Sequence, residues 1–336
     1  MPLKIAVDAM GGDFAPTEII KGALVVAQER ADLEIVLVGR ESAISECLNT
    51  LGTVPGTVTI RPAEQTIEMG EHPVQATRRK RESSLVVSGL MVKSGEADAT
   101  FSAGSTGAAM AIATLDIGRI PGIERPALAT GIPTIQGRAL LLDAGANVDC
   151  STRNLRQFAL LGAIYSERVL GVPNPKVGLL NIGSEEAKGN ELAKEAHQLL
   201  KLTPLNFFGN VEGKDVFEHA VDVVVCDGFW GNILIKSGEG MAEMVFDLLH
   251  RLIETEAKVA DSREIIASLF RQLAQRIHYS EFGGATLLGV NGVSVIGHGR
   301  SDAKAIAGGI RAAADAAAGG YVQAICDALP AFEGKV

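Results

Sequence analysis

Lys176-Val-Gly-Leu-Leu-Asn-Ile-Gly-Ser-Glu-Glu-Ala-Lys-Gly-Asn190 runs directly into Glu191-Leu-Ala-Lys-Glu-Ala-His-Gln-Leu-Leu200. The apolar run Lys176–Leu180 reads as a buried strand, and Glu191–Leu200 carries helical spacing. Between them, Asn181–Asn190 holds two glycines (Gly183, Gly189), two carboxylates (Glu185, Glu186) and Lys188. A strand-to-helix turn aims free backbone N–H groups and the positive end of a helix at one point, which suits an anion; Lys188 adds a full charge there. Taken alone, such a loop is better read as a glycine turn. Its recurrence along the chain shifts the reading.

Leu3–Val7 is a strand ending in Asp8-Ala-Met-Gly-Gly-Asp13, with Gly11 and Gly12, before Pro16 and Thr17 open a helix. These glycines do not spell a dinucleotide fingerprint. A strand at Asp98–Phe101 runs into Ser102-Ala-Gly-Ser-Thr-Gly107, whose small residues and hydroxyls (Ser102, Gly104, Ser105, Thr106, Gly107) suit the close approach of a phosphate. Tight helix–strand packing is the rival reading, and Ser105 lacks the setting of a nucleophile elbow. Ala139–Leu142 ends in Asp143-Ala-Gly-Ala-Asn147, and Val221–Val225 in Cys226-Asp-Gly-Phe-Trp-Gly-Asn232. Five such strand ends predict an α/β fold with a mostly parallel sheet. All the carboxyl ends are expected on one edge, where ligands bind. Asp8, Asp13, Asp143, Asn147, Lys188, Asp227 and Asn232 together then read as a composite anion site.

The 336 residues, 47% hydrophobic and 21% charged, suffice for a large core. A net charge of −9 argues against general binding to nucleic acid or an anionic membrane. Four separated cysteines (Cys47, Cys150, Cys226, Cys326) with no His/Cys cluster indicate neither a zinc site nor a disulfide framework, and fit a reduced, cytoplasmic setting. No signal-peptide core or bilayer-length apolar span is present. Arg78-Arg79-Lys80-Arg81 would ordinarily be a solvated face; in an acidic protein it is also a docking point for an acidic partner or a phosphate. Met241–Tyr279 has a helical pattern broken near Ala260-Asp261-Ser262. This predicts a projecting hairpin (about 241–280) whose apolar stripes seek a partner helix or dimer. His298, between two glycines, reads equally as a functional imidazole or a helix cap. With no repeat or linker, residues 1–336 read as one α/β domain carrying the hairpin.

These motifs, with Gly283-Gly-Ala285 and His298-Gly-Arg-Ser301, occur in an order that resembles the bacterial phosphate acyltransferase family called PlsX, from about Lys4 to about Ala318. The resemblance implies a three-layer α/β/α core related to phosphotransacetylases and isocitrate-dehydrogenase-like enzymes. It also implies a homodimer without metal or organic cofactor, cytoplasmic and peripheral at the inner face of the membrane. The implied reaction converts long-chain acyl-[acyl carrier protein] and inorganic phosphate to acyl phosphate and free carrier protein. A membrane acyl-phosphate:glycerol-3-phosphate acyltransferase would follow, on the route to phosphatidic acid. Ser105 stands where Asn is common in the family.

In that chemistry phosphate is the nucleophile and a thiolate leaves, so the protein's tasks are orientation and charge stabilisation. Lys188 and the loop amides around Gly183 and Gly189 are expected to hold phosphate or the oxyanion. Asn181, Glu185, Asp227, Asn232, Gly283 and Gly284 join the Ser102–Gly107 and Asp143–Asn147 loops in lining the pocket. Asp8 or Asp13 is expected to orient Lys188 or take a proton, with His298 as the alternative base. A decarboxylating dehydrogenase of similar fold and a non-catalytic phosphate sensor are the rival readings.

Overall fold

The computed structural model describes residues 2–255, 273 and 283–334. Apolar runs of four to eight residues form most strands of one 11-stranded sheet. The first half of the chain gives β1 (Leu3–Asp8), α1 (Thr17–Glu29), β2 (Leu33–Gly39), α2 (Glu41–Leu51), β3 (Val58–Pro62), α3 (Pro73–Arg79), α4 (Ser84–Ser94), β4 (Ala99–Ser102) and α5 (Thr106–Ile112). The hairpin β5 (Ala127–Thr134) and β6 (Gly137–Leu142) follows, then α6 (Thr152–Arg168), β7 (Val177–Leu180), α7 (Glu191–Lys201), β8 (Phe207–Val211), α8 (Gly213–Phe217), β9 (Val223–Val225) and α9 (Gly228–Thr255). β10 (Ala285–Leu288), β11 (Val293–Ile296), α10 (Ala303–Gly319) and α11 (Tyr321–Glu333) complete it.

The spatial order is β3-β2-β1-β4-β11-β10-β5-β6-β9-β7-β8. β10 and β11, late in the chain, therefore fill the middle of the sheet, between β4 and β5. Most neighbours pair in parallel, as expected, but β11–β10, β10–β5 and β5–β6 are antiparallel. An odd number of reversals turns the β6-β9-β7-β8 block against the β3-β2-β1-β4-β11 block. The expectation that all strand ends share one edge is thereby corrected. The loops after β6, β7 and β9 lie on one edge and those after β1, β4 and β11 on the other.

Successive strand residues face opposite sides. Ile5 and Val7 join a large cluster with Ile19, Phe158 and Ile310 under α1, α6 and α10, whereas Ala6 faces a smaller one. α4 and α5, with α8 and the start of α9, cover that second face. This three-layer α/β/α arrangement matches the expected fold class. Ser151 starts α6 by accepting from Asn154 N while Asn154 Oδ1 accepts from Ser151 N, a reciprocal cap. Most of the expected hairpin, about 241–280, lies outside the described residues. α9 starts at Gly228, well before Met241, and 256–272 and 274–282 lie outside the described residues.

Candidate active site

The edge after β6, β9 and β7 gathers three of the predicted loops on adjacent strands, which stand about 4.8 Å apart. Asp143 organises the first. Its carboxylate accepts from the amides of Leu128 (3.0 Å), Gly145 (3.2 Å), Ala146 (3.0 Å) and Asn147 (2.7 Å), and from Asn147 Nδ2 (2.8 Å). Burial pushes this carboxyl up, and the N–H donors pull it back. Asp143 and Asn147 are thus a brace rather than free ligand groups. The second loop belongs to α9. Asp227 caps that helix at Trp230 N (2.9 Å), Gly228 N donates to Asn147 O (2.7 Å), and exposed Asn232 lies against Gly145. The Gly228–Asn232 segment, expected in a loop, is the first turn of that helix.

The third loop carries Lys188, which is exposed and makes no ion pair among the described residues. Its backbone is well tied. Asn181 Nδ2 donates to Lys188 O (3.0 Å), Asn181 Oδ1 accepts from Ile182 N (2.8 Å), and Glu185 O accepts from Lys188 N (3.0 Å). Two residues that sequence reasoning missed hold it from beneath. Asn210 Nδ2 donates to Glu185 O (2.9 Å), and buried His197 bonds Asn210 Oδ1 through Nδ1 (2.9 Å). The signal was a histidine on the apolar face of α7 beside Ala196 and Leu200. Lys201 bonds Glu186 (2.7 Å) and holds that carboxyl low.

The other edge gathers a second group. Asp8 is buried and accepts from Ser102 Oγ (2.7 Å) and Met10 N (3.2 Å). Burial pushes its carboxyl up. Gly11 and Gly104 close over this pair, and Asp13 N, next to Gly12, donates to Gly299 O (2.8 Å). Ser105 caps α5 at Ala108 N (3.4 Å), with exposed Thr106 and Gly107 as its first residues. His298 Nδ1 accepts from Arg300 N (3.2 Å), and the Ala-rich helix α10 is capped instead by Asp302. No hydrogen bond or ion pair joins Asp8 or Asp13 to Lys188. The expected orienting contact is corrected, because the sheet reverses between their strands and Asp8 is satisfied locally. Gly283 and Gly284, expected in the pocket, pack on the main chain of Gly308 and Ile296.

The basic run is also smaller than it reads. Lys80 is paired with Glu71 (2.5 Å) and Arg81 with Asp116 (2.9 Å), which leaves exposed Arg78 and Arg79 without an ion pair among the described residues. Among the described residues no group of three or more His, Cys, Asp or Glu is placed to hold a metal ion, and no helix is long and apolar enough to cross a membrane.

Comparison with known proteins agrees with this architecture. Residues 3–324 match the model of a family described as fatty acid synthesis protein. A phosphate acyltransferase of Desulfitobacterium hafniense is 50% identical over 332 residues, covering 98% of each chain. One from Desulforamulus reducens is 49% identical, covering 97% of each. A phosphotransacetylase from Streptococcus pyogenes shares the fold, with a TM-score of 0.65 at 20% identity over 94% of each chain. A branched-chain phosphotransacylase from Enterococcus faecalis gives 0.60 at 13%, over 94% of this chain and 99% of its own. A match over almost the whole length, at half identity, places this chain in the phosphate acyltransferase (PlsX) family, as an acyltransferase enzyme of fatty acid and phospholipid synthesis.

Proposed function

We propose that the enzyme transfers a long-chain acyl group from acyl carrier protein to inorganic phosphate. A phosphate oxygen attacks the thioester carbonyl carbon, the C–S bond breaks, and the carrier leaves as a thiolate, which takes a proton from solvent. A thiol of pKa about 8.5 departs without strong acid help, so no protein nucleophile is required. Lys188, Asn232 and the amides of the Asn181–Asn190 loop hold phosphate and stabilise the oxyanion. Arg78 and Arg79 offer the acidic carrier a docking point, and the exposed stripe of α9 joins two copies into a homodimer.

The observation that carries this reading is the edge itself. An exposed cation without an ion pair among the described residues, Lys188, sits on the loop after β7, and the Asp143-braced start of α9 follows the neighbouring strand β9 on the same edge. The same two loops carry exposed apolar side chains, Ile182, Phe229 and Trp230, which suit an acyl substrate. The test is release of free thiol from palmitoyl-acyl carrier protein. The expected result is release that requires phosphate and yields acyl phosphate in equal amount. Hydrolysis that ignores phosphate, or phosphate binding without thioester loss, would overturn it.

A further inference from the structure

A cavity of about 250 Å³ opens beside Asn147, lined also by Met110, Thr114, Arg119, Glu124, Arg125 and Leu287. It lies at the edge that carries Lys188, since Asn147 belongs to the loop after β6 and binds the first residue of α9. Its walls are mixed. Met110 and Leu287 are apolar, Arg119 and Arg125 are cationic, and Glu124 is acidic. Each arginine is anchored by a main-chain carbonyl: Arg119 donates to Glu124 O, and Arg125 to Asp149 O (3.1 Å). Neither forms an ion pair among the described residues. A guanidinium has five donors, so most remain for a ligand. Glu124, the carboxylate in the lining, bonds Arg153 (2.8 Å) and Asn154 (2.9 Å) rather than either of these arginines. The backbone is pinned too, with Arg119 bridged to Val290.

Two arginines without ion pairs among the described residues, sharing a cavity with apolar Met110 and Leu287, fit an anion attached to a slender chain. A free acyl tail would not need the arginines, and free phosphate would not need the slot. The volume, just under the usual range for compact ligand pockets, suits a linear chain. We propose that this cavity is the subsite for the 4′-phosphopantetheine arm that carries the acyl thioester, with Arg119 and Arg125 holding its phosphate. Fork-shaped bonds to phosphate are the strong, directional kind. This rests on the acyl-carrier reading above and adds to it named residues that would hold the arm.

The experiment compares S-palmitoyl-4′-phosphopantetheine with S-palmitoylpantetheine, neither bearing a carrier protein. Wild-type enzyme is expected to favour the phosphorylated compound in kcat/KM by ~10- to 100-fold, and Arg119→Ala with Arg125→Ala to erase that preference without changing KM for phosphate. Equal kcat/KM for the two compounds in wild type would overturn the proposal and leave the arginines no role in reading the arm. Calorimetric binding of 4′-phosphopantetheine against pantetheine reads the same contacts without turnover. Loss of the difference in the double variant supports the subsite, and no difference in wild type overturns it. Thr114→Phe, which fills the slot and spares the arginines, should weaken 4′-phosphopantetheine binding at least ~10-fold; unchanged binding would count against the slot. Failure of the acyl-carrier reading is separately visible as no phosphate-dependent thiol release from palmitoyl-acyl carrier protein.

Discussion

In the proposed reaction Lys188 is the residue on which the chemistry depends most directly. Lys188→Met keeps the stem and removes the charge, so kcat should fall by at least ~10²- to 10³-fold, the usual scale for a lost charge-stabilising donor. Because Lys188 is exposed and forms no ion pair among the described residues, the thermal midpoint should hardly move; near-normal turnover would remove Lys188 from the mechanism. Asp8 makes a different prediction. Its folded pKa is raised, so its contribution to stability is complete below the unfolded value, about 3.9, and is lost as pH rises through the folded value. The stability of wild type relative to Asp8→Asn should therefore decline as pH is raised from about 4, measured by denaturant titration at a series of pH values. The Lys188 loop was legible in the sequence because its charge and glycines are contiguous. His197 and Asn210 were not, because a buried histidine declares its partner only when two elements meet.

At the level of elements, Gly231 shows why a glycine can be fixed inside a helix. Replacing it with Ala in an exposed helix interior would gain nearly 1 kcal/mol. Here a Cβ would fall onto the main-chain oxygen of Asp143. Overpacking of this kind costs about 1–3 kcal/mol and outweighs propensity. Gly231→Ala should thus lower unfolding stability and, by pushing α9 off the Asp143 loop, lower kcat further than stability alone explains; a stabilised, active variant would refute the contact. The strands after Leu3, Leu33 and Ala139 were readable as apolar runs. β5 was missed, and with it the reversal of the sheet. The turn did not declare it: Ile135-Gln136, the two residues joining β5 to β6, lack the Asn-Gly or Gly-Gly pair that marks a tight hairpin.

For the whole molecule, the exposed stripe Met241, Met244, Val245 and Leu248 along α9 bears on assembly. If it seals a dimer, Met244→Glu with Leu248→Glu should raise the dissociation constant by at least ~100-fold, since each buries a charge against apolar side chains. Sedimentation would then shift from twice 35.2 kDa to 35.2 kDa at micromolar protein, and an unchanged mass would rule the stripe out as the interface.

The placement of β10 and β11 between β4 and β5 also bears on how the cell makes the protein. Roughly 190 residues separate Ser102 from Val293, and a ribosome adding about 5–20 residues per second needs about 10–40 s to cover them. For most of that interval, once β5 is made, the growing chain carries β4 and β5 as open edges, the kind of surface that recruits strands from other chains. Order of synthesis and order of assembly therefore part company. Neither half-sheet can be sealed to the other until nearly the last residue has left the ribosome, and a chain that stops before β11 should accumulate as aggregate, while the finished chain closes in a single step.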